Sequence, residues 1–409
     1  MQSLKRVATR TARWVRGSKR ITPGRVTNMM SSYLATRSKN DVVSSYPVSL
    51  HIEPALVCNY RCAVCWHDRR DEAPKASKFM DVDAYKSLLD QVKGKTWALE
   101  LTGNGESTLH PRFYEMLSYA VENGFYTKFE TNGSRVDIEQ IEASGAQTIH
   151  FALDGMSTET YKQYRVGGKF PEVKENLEKL VALRDRTGWP HIEVRFLVFR
   201  HNQHEMAEAE EYLNSLGVSW RFQWARVPNE GVHENILQRW SLEVREEDFE
   251  KWSPAIPEFV AYRKDSTTGM YRHFSTFGDL EPKCTAVWTM LYVRTDGEVV
   301  PCCEMLNESA LSLGNVFTEG FDAVWNGPRI QEFRHALAHD PSDLHPCNVC
   351  PANMTCHKLE VRTGSKVTAP TESLVTSLPD VETPDSLKAE TAQLGGAVKP
   401  ELVEIESVT

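Results

Sequence analysis

Three cysteines fall within eight residues in Cys58-Asn-Tyr-Arg-Cys62-Ala-Val-Cys65, and Trp66 follows them. Thiolates packed this closely can hold three corners of a metal centre and leave the fourth without a local ligand. A closed structural zinc site takes four ligands, usually as two C-x2-C pairs. Iron–sulfur clusters are also commonly held by four cysteines. The loop therefore suggests an iron left open to another ligand, against the alternatives of a zinc knuckle or three unrelated core thiols. A second set comprises Cys284, Cys302, Cys303, Cys347, Cys350 and Cys356. Asp296-Gly297 between two β-prone runs marks a hairpin, which brings Cys284 and Cys302 together on adjacent strands. Cys347-x2-Cys350 then closes a four-thiolate site, a ligand set that zinc would also accept.

The elements that must position these thiols alternate. Strands are expected over Val48–Glu53, Trp97–Thr102, Phe125–Glu130, Thr148–Leu153, Ile192–Phe199 and Val218–Trp224. Helical patterns cover Val82–Lys93, Arg112–Asn123, Asp137–Ser144, Val173–Arg186 and Gln203–Leu216, with a later one at Glu243–Trp252. Strands separated by helices make a parallel α/β sheet, either a partial barrel or a doubly wound open sheet. In barrels the reactive groups gather where strands run into loops. The second strand runs into Gly103-Asn104-Gly105-Glu106, where glycines admit close backbone approach and a carboxylate can receive an ammonium. The third ends in Thr131-Asn132-Gly133 and the fourth in Leu153-Asp154-Gly155, with Arg165 beyond.

Composition narrows the class. No apolar run reaches the roughly 18 residues of a spanning helix, and no apolar signal core follows the N-terminal basic residues. Clustered thiols, odd in number at nine, favour a reducing compartment, taken as the cytoplasm. Residues 1–40 carry ten Lys or Arg and no acid; the total is −9, so the rest of the chain is −19 (−9 minus +10). An acidic body argues against nucleic-acid binding. The basic arm, with Leu4, Val7, Thr11, Trp14 and Val15 on one helical face, suits packing on the main domain, weak contact with an anionic membrane, contact with RNA, or an organellar transit peptide. The tail lacks aromatics and is expected to be disordered. The resulting plan is an arm (1–45), a barrel (46–265), a cysteine-rich domain (266–358) and an acidic tail (359–409).

The C-x3-C-x2-C loop followed by an aromatic residue resembles the signature of the radical S-adenosylmethionine (SAM) enzymes. The resemblance implies a partial (β/α)6 TIM-like barrel. It implies a [4Fe–4S] cluster on Cys58, Cys62 and Cys65, with SAM at the open iron and cleaved to a 5′-deoxyadenosyl radical. Gly103, Asn104, Gly105 and Glu106 resemble the turn that holds the SAM amino group, although Asn104 stands where glycine is commoner. Asn132 is then a wall of the SAM site, and Asn202 also matches the family. Asp154 meets the ribose or caps the next helix. Arg165 and Arg195 pair with a carboxylate of SAM or substrate. Residues 284–356 resemble the SPASM and twitch auxiliary domains; with no cysteine after Cys356, one auxiliary [4Fe–4S] cluster is expected on Cys284, Cys302, Cys347 and Cys350. That spacing resembles the diol-oxidising dehydrogenase of aminoglycoside biosynthesis. The implied reaction is oxidation of an alcohol carbon in a small polar substrate, with the auxiliary cluster as electron acceptor and flavodoxin or ferredoxin as donor. A peptide maturase is an alternative, although fewer than fifty residues precede the first strand. An epimerase using Cys303 or Cys356 as hydrogen donor is another, and a zinc-binding module is the non-enzymatic one.

Overall fold

The computed structural model describes residues 21–63, 65, 77–229, 242–277, 279–280, 283–303, 311–345, 347–350, 354–355 and 362–364. Trp66, Cys356, the helical pattern of residues 4–15 and the acidic tail lie outside them. Six parallel strands form the centre: β1 (Ser49–Ile52), β2 (Ala98–Leu101), β3 (Tyr126–Thr131), β4 (Thr148–Ala152), β5 (His191–Val198) and β6 (Ser219–Trp224). They pair in chain order, and each begins and ends within two residues of its expected bounds. The helix after β1 starts where Asp81 accepts a hydrogen bond from the Ala84 amide at 2.8 Å, satisfying an end donor that the helix itself cannot.

The strands are apolar outward. Leu50, Ile52, Leu99, Leu101, Phe129, Ile149, Phe151, Val194, Phe196 and Phe222 are buried against the helices. Facing inward at alternate positions are His51, Glu100, Lys128, Glu130, His150, Glu193, Arg195 and Arg221. Strands buried on both faces usually read as continuous apolar runs. Here the period of two instead lines a lumen with charge.

The cysteine-rich segment continues the same sheet. A hairpin of β7 (Met290–Val293) and β8 (Glu298–Val300) lays β7 parallel to β1, with His51 opposite Tyr292. Gly297 supplies the left-handed turn at φ 85°. A short strand, β9 (Gly314–Asn315), follows β8, and β10 (Arg362–Gly364) pairs antiparallel with β6, giving ten strands in all. The barrel and the auxiliary segment thus share one wall.

The arm expected over residues 1–45 is, from Thr22 onward, part of that body. Helix α1 (Pro23–Ser38) is capped by Thr22. Its Arg25 donates to the carbonyls of Thr96 (3.1 Å) and Gly124 (2.7 Å), which precede β2 and β3. The next residues form a strap. Trp288 Nε1 donates to the Asn40 carbonyl, Arg334 Nη1 to Asp41, Asn326 Nδ2 to Val43 and Trp325 Nε1 to Ser45. No helix among the described residues is long and apolar enough to cross a membrane.

Candidate active site

The Cys58–Cys65 loop leaves the C-terminal end of β1 and is held by the loops of neighbouring strands. The Arg61 amide donates to the Val166 carbonyl at 2.9 Å and the Glu106 amide to Val57 at 2.8 Å. Gly105 lies so close that a Cβ there would sit 2.1 Å from the Ala55 carbonyl oxygen and 2.7 Å from that of Val57. The Gly103-Asn104-Gly105 turn thus fixes the cysteine loop as well as facing it. The Asn104 amide reaches back to Glu53 Oε1 at 2.7 Å.

Glu106 is buried, and its carboxylate is engaged by the chain. Oε1 accepts from Thr108 Oγ1 (2.6 Å), the Thr108 amide (3.3 Å) and Thr131 Oγ1 (2.8 Å), and Oε2 accepts from the Asn132 amide (2.7 Å). Burial raises its pKa, and these hydrogen bonds pull it back. Glu106 therefore bolts the β2 turn to the end of β3. Asn132 Nδ2 points at Cys58 Sγ, 3.9 Å away, and donates to Asn59 at 3.0 Å.

Asp154 has a partner that neither sequence alternative named. Arg165 Nε and Nη2 both lie 2.5 Å from Asp154 Oδ2, and the Leu197 amide donates to Oδ1 at 2.7 Å. The next helix is capped by Ser157 instead, whose Oγ accepts from the Thr160 amide. Arg165 also points Nη1 at Cys62 Sγ, 3.6 Å away. A buried carboxylate thus aims a guanidinium at a thiol of the loop. Asn202, fully buried, donates to the carbonyls of Asp154 and Leu197 and ties the ends of β4 and β5 together.

Burial pushes the Cys62 thiol up to about 12, with Arg165 working against the shift, and it also raises Cys58. All eight described cysteines are thiols. Among the described residues, no three cysteine sulfurs lie within 4.8 Å of one another. Cys58, Cys62 and Cys65 are the thiols of this loop that could hold a cluster.

The second thiol set lies at the other end of the lumen. Cys284 precedes the turn that enters β7. Cys302 lies two residues past Val300, which pairs with Tyr292, so it falls beside the start of β7. Cys284 and Cys350 are close enough to Cys347 that their charges, after burial, raise its thiol. The Cys350 amide donates to the Cys347 carbonyl at 3.4 Å. Cys302 and exposed Cys303 lie against Tyr292.

Between the two sets lies the charged layer, of which the sequence motifs single out only Arg195. Tyr292 stacks on His51 with ring centroids 4.3 Å apart. Lys128 pairs with Glu100 at 2.5 Å, Arg221 with Glu193 at 2.8 Å, and Arg195 with Glu130. His150 places Nδ1 3.4 Å from Glu130 and Nε2 3.7 Å from Glu193. Glu130 is the carboxylate most open to the lumen, with 38% of its side chain exposed against 5% for Glu193 and 11% for Glu100. Burial opposes its charge, yet Arg195, His150 and Lys128 together hold its carboxyl below the ordinary range. Burial likewise keeps His51 neutral, down to about 3. Three acids matched by three cations leave the layer balanced. Glu100, Glu130 and His150 converge as a metal site would, but Lys128 and Arg195 already neutralise the two carboxylates.

Comparisons with known proteins agree with this geometry. Residues 52–213 match the model of the radical SAM superfamily, and residues 284–351 match SPASM, an iron–sulfur cluster-binding domain. The chain is 25% identical to a Pyrococcus furiosus protein that modifies the cofactor of tungsten-containing aldehyde ferredoxin oxidoreductase, covering 75% of this chain and 88% of that one. It is 25% identical to the mycofactocin maturase MftC of Mycobacterium ulcerans, covering 74% and 80%. It is 23% identical to the subtilosin biosynthesis protein AlbA of Bacillus subtilis, covering 80% and 70%. Streptococcus suis SuiB bound to S-adenosylmethionine shares the fold at a TM-score of 0.51 and 14% identity, over 74% of this chain and 70% of that one. The open three-thiol loop at the barrel mouth, the second thiol set at its far end and these two matched domains make the chain a radical SAM enzyme with a SPASM domain, binding SAM and iron–sulfur clusters.

Proposed function

We propose that the enzyme is an oxidative maturase acting on a peptide or peptide-derived precursor held in the lumen. One observation carries the oxidative part: the two thiol sets flank the charged lumen from opposite ends, so a substrate inside lies between them. Cys58, Cys62 and Cys65 would hold the cluster that supplies the electron for splitting SAM, and Cys284, Cys302, Cys347 and Cys350 would hold an auxiliary cluster able to accept one from the substrate. The hydrogen atom leaves with 5′-deoxyadenosine. The substrate carbon then gives up one electron and one proton, so two hydrogens are lost overall. The Glu130–His150–Glu193 row faces the lumen and is placed to receive that proton, since burial holds the His150 imidazole neutral and so able to accept it. Gly103, Asn104, Gly105, Asn132 and Arg165, set around the cysteine loop, are the residues that would hold SAM.

The peptide class is supported by the relatives, whose names describe maturases and bacteriocin biosynthesis. Oxidation of a small polar alcohol is the second reading, favoured by the charged lining of the lumen. A flavodoxin- or ferredoxin-class donor and a cytoplasmic setting complete the proposal, because thiol ligands need reducing surroundings. Cys347→Ala tests it. The variant should still release 5′-deoxyadenosine but yield no product two hydrogens lighter, whether the substrate offered is a short peptide encoded beside the gene or a polyol. Normal product yield would refute the acceptor role.

A further inference from the structure

The helix Pro328–His339 carries two histidines four positions apart, His335 and His339. Residues at that spacing are neighbours on one face of a helix. The two rings lie side by side, with centroids 4.3 Å apart and planes 25° from parallel. Both residues are exposed, and neither has a role in the site described above. Two histidines at this spacing on one helix are a recurring way to hold a metal ion.

Hydrogen bonds fix where the ring hydrogens sit. His335 Nδ1 lies 3.1 Å from Asp41 Oδ2, and His339 Nδ1 lies 2.9 Å from the His335 carbonyl oxygen. A carboxylate and a carbonyl only accept, so each Nδ1 carries the hydrogen. In the neutral rings the remaining lone pair is then on Nε2, an atom that binds metals. Each Nε2 faces away from the bond that its own Nδ1 makes. A histidine that ligates a metal ordinarily donates its other ring hydrogen to a carboxylate or a backbone carbonyl. Here His335 does the first and His339 the second. The carboxylate is itself held in place. The Asp41 carbonyl accepts from Arg334 Nη1 at 2.9 Å, and Arg334 is fully buried beside His335 in the chain. The strap after α1 and this helix thus set Asp41 against the ring. The side chains of His335 and Asp41 are 62% and 39% exposed, so an ion on the pair has its other positions open to water. Imidazole nitrogen suits zinc, nickel and copper.

We infer that Nε2 of His335 and Nε2 of His339 form a site for a divalent transition-metal ion, with Asp41 positioning the first ring. The test uses the tag-free full chain, its clusters reconstituted anaerobically so that their thiols are occupied, and Ni²⁺ as the probe. The chain should be retained on immobilised Ni²⁺ and released by imidazole. His335→Ala and His339→Ala should each abolish retention, whereas replacing the exposed His204 by Ala should leave it unchanged. Asp41→Ala should weaken Ni²⁺ affinity about tenfold in calorimetry. SAM cleavage should be the same in all four variants. The parent gives a second readout that needs no substitution. Ni²⁺ should protect His335 and His339 from diethyl pyrocarbonate, as mapped by peptide mass, and leave His204 reactive. A parent that is not retained overturns the inference, as does retention in both variants of the pair or a pair left unprotected by Ni²⁺. Full affinity in Asp41→Ala would mark two surface imidazoles without a positioning carboxylate and also overturns it.

Discussion

Replacing Arg165 by Ala removes the cation from a pair in which Asp154 is 1% exposed and Arg165 14% exposed. Two guanidinium nitrogens at 2.5 Å are lost from Asp154 Oδ2, leaving the carboxylate with the Leu197 amide on its other oxygen. Stranding a buried charge in this way costs about 3–5 kcal/mol. Unfolding entropy of about 2.1 cal/mol/K per residue over the roughly 300 described residues gives about 0.6 kcal/mol/K, so the melting temperature should fall by about 5–8 °C. The assay is thermal unfolding of cluster-free protein followed by circular dichroism. The double variant Arg165→Ala, Asp154→Ala removes both charges and should melt above the single variant, with a coupling of about 1–3 kcal/mol. A single variant within about 1 kcal/mol of the parent, or strictly additive losses, would refute the view that Asp154 exists to hold this guanidinium against Cys62.

The remaining predictions address the loop and the lumen. Gly105→Ala places a methyl 2.1 Å from the Ala55 carbonyl oxygen and should displace the cysteine loop; anaerobic reconstitution should then give about four irons per chain in place of about eight, and a full complement would contradict the packing. Glu130→Gln should leave 5′-deoxyadenosine release intact and slow product formation about a hundredfold; equal loss of both would remove Glu130 from the proton-accepting row. Because Arg195, His150 and Lys128 depress the Glu130 carboxyl, its contribution to stability is present above the ordinary Glu range near 4.3 and is lost as the pH falls below it. Glu130→Gln should flatten that acid limb in a melting-temperature series, and an unchanged slope would contradict the pairing.

The six strands were legible because apolar residues at alternate positions are a local signal. Their inner faces carry His51, Glu100, Lys128, Glu130, His150, Glu193, Arg195 and Arg221. Each looks like an isolated polar residue until register sets Glu130 beside His150 and His150 beside Glu193. A hint is present in the sequence: parallel strands usually read as continuous apolar runs, and these carry charges at every second position. Helix α1 escaped notice because reading periodicity assumes that the apolar face is the buried one, and here Arg25, Asn28 and Ser32 take that place. For Asp154 the sequence offers a ribose contact or a cap on the next helix. Its partner Arg165 lies eleven residues on, beyond what a capping rule sees. The hairpin at Gly297 was readable from Asp-Gly, whereas its parallel pairing to β1, some 240 residues earlier, was not.

The central claim is that the Cys58, Cys62 and Cys65 centre keeps one iron open for SAM. Electron paramagnetic resonance of the reduced, reconstituted Cys284→Ala, Cys347→Ala variant isolates that centre. Adding SAM should change its signal and yield 5′-deoxyadenosine; a spectrum that stays the same, with no nucleoside released, would contradict the account.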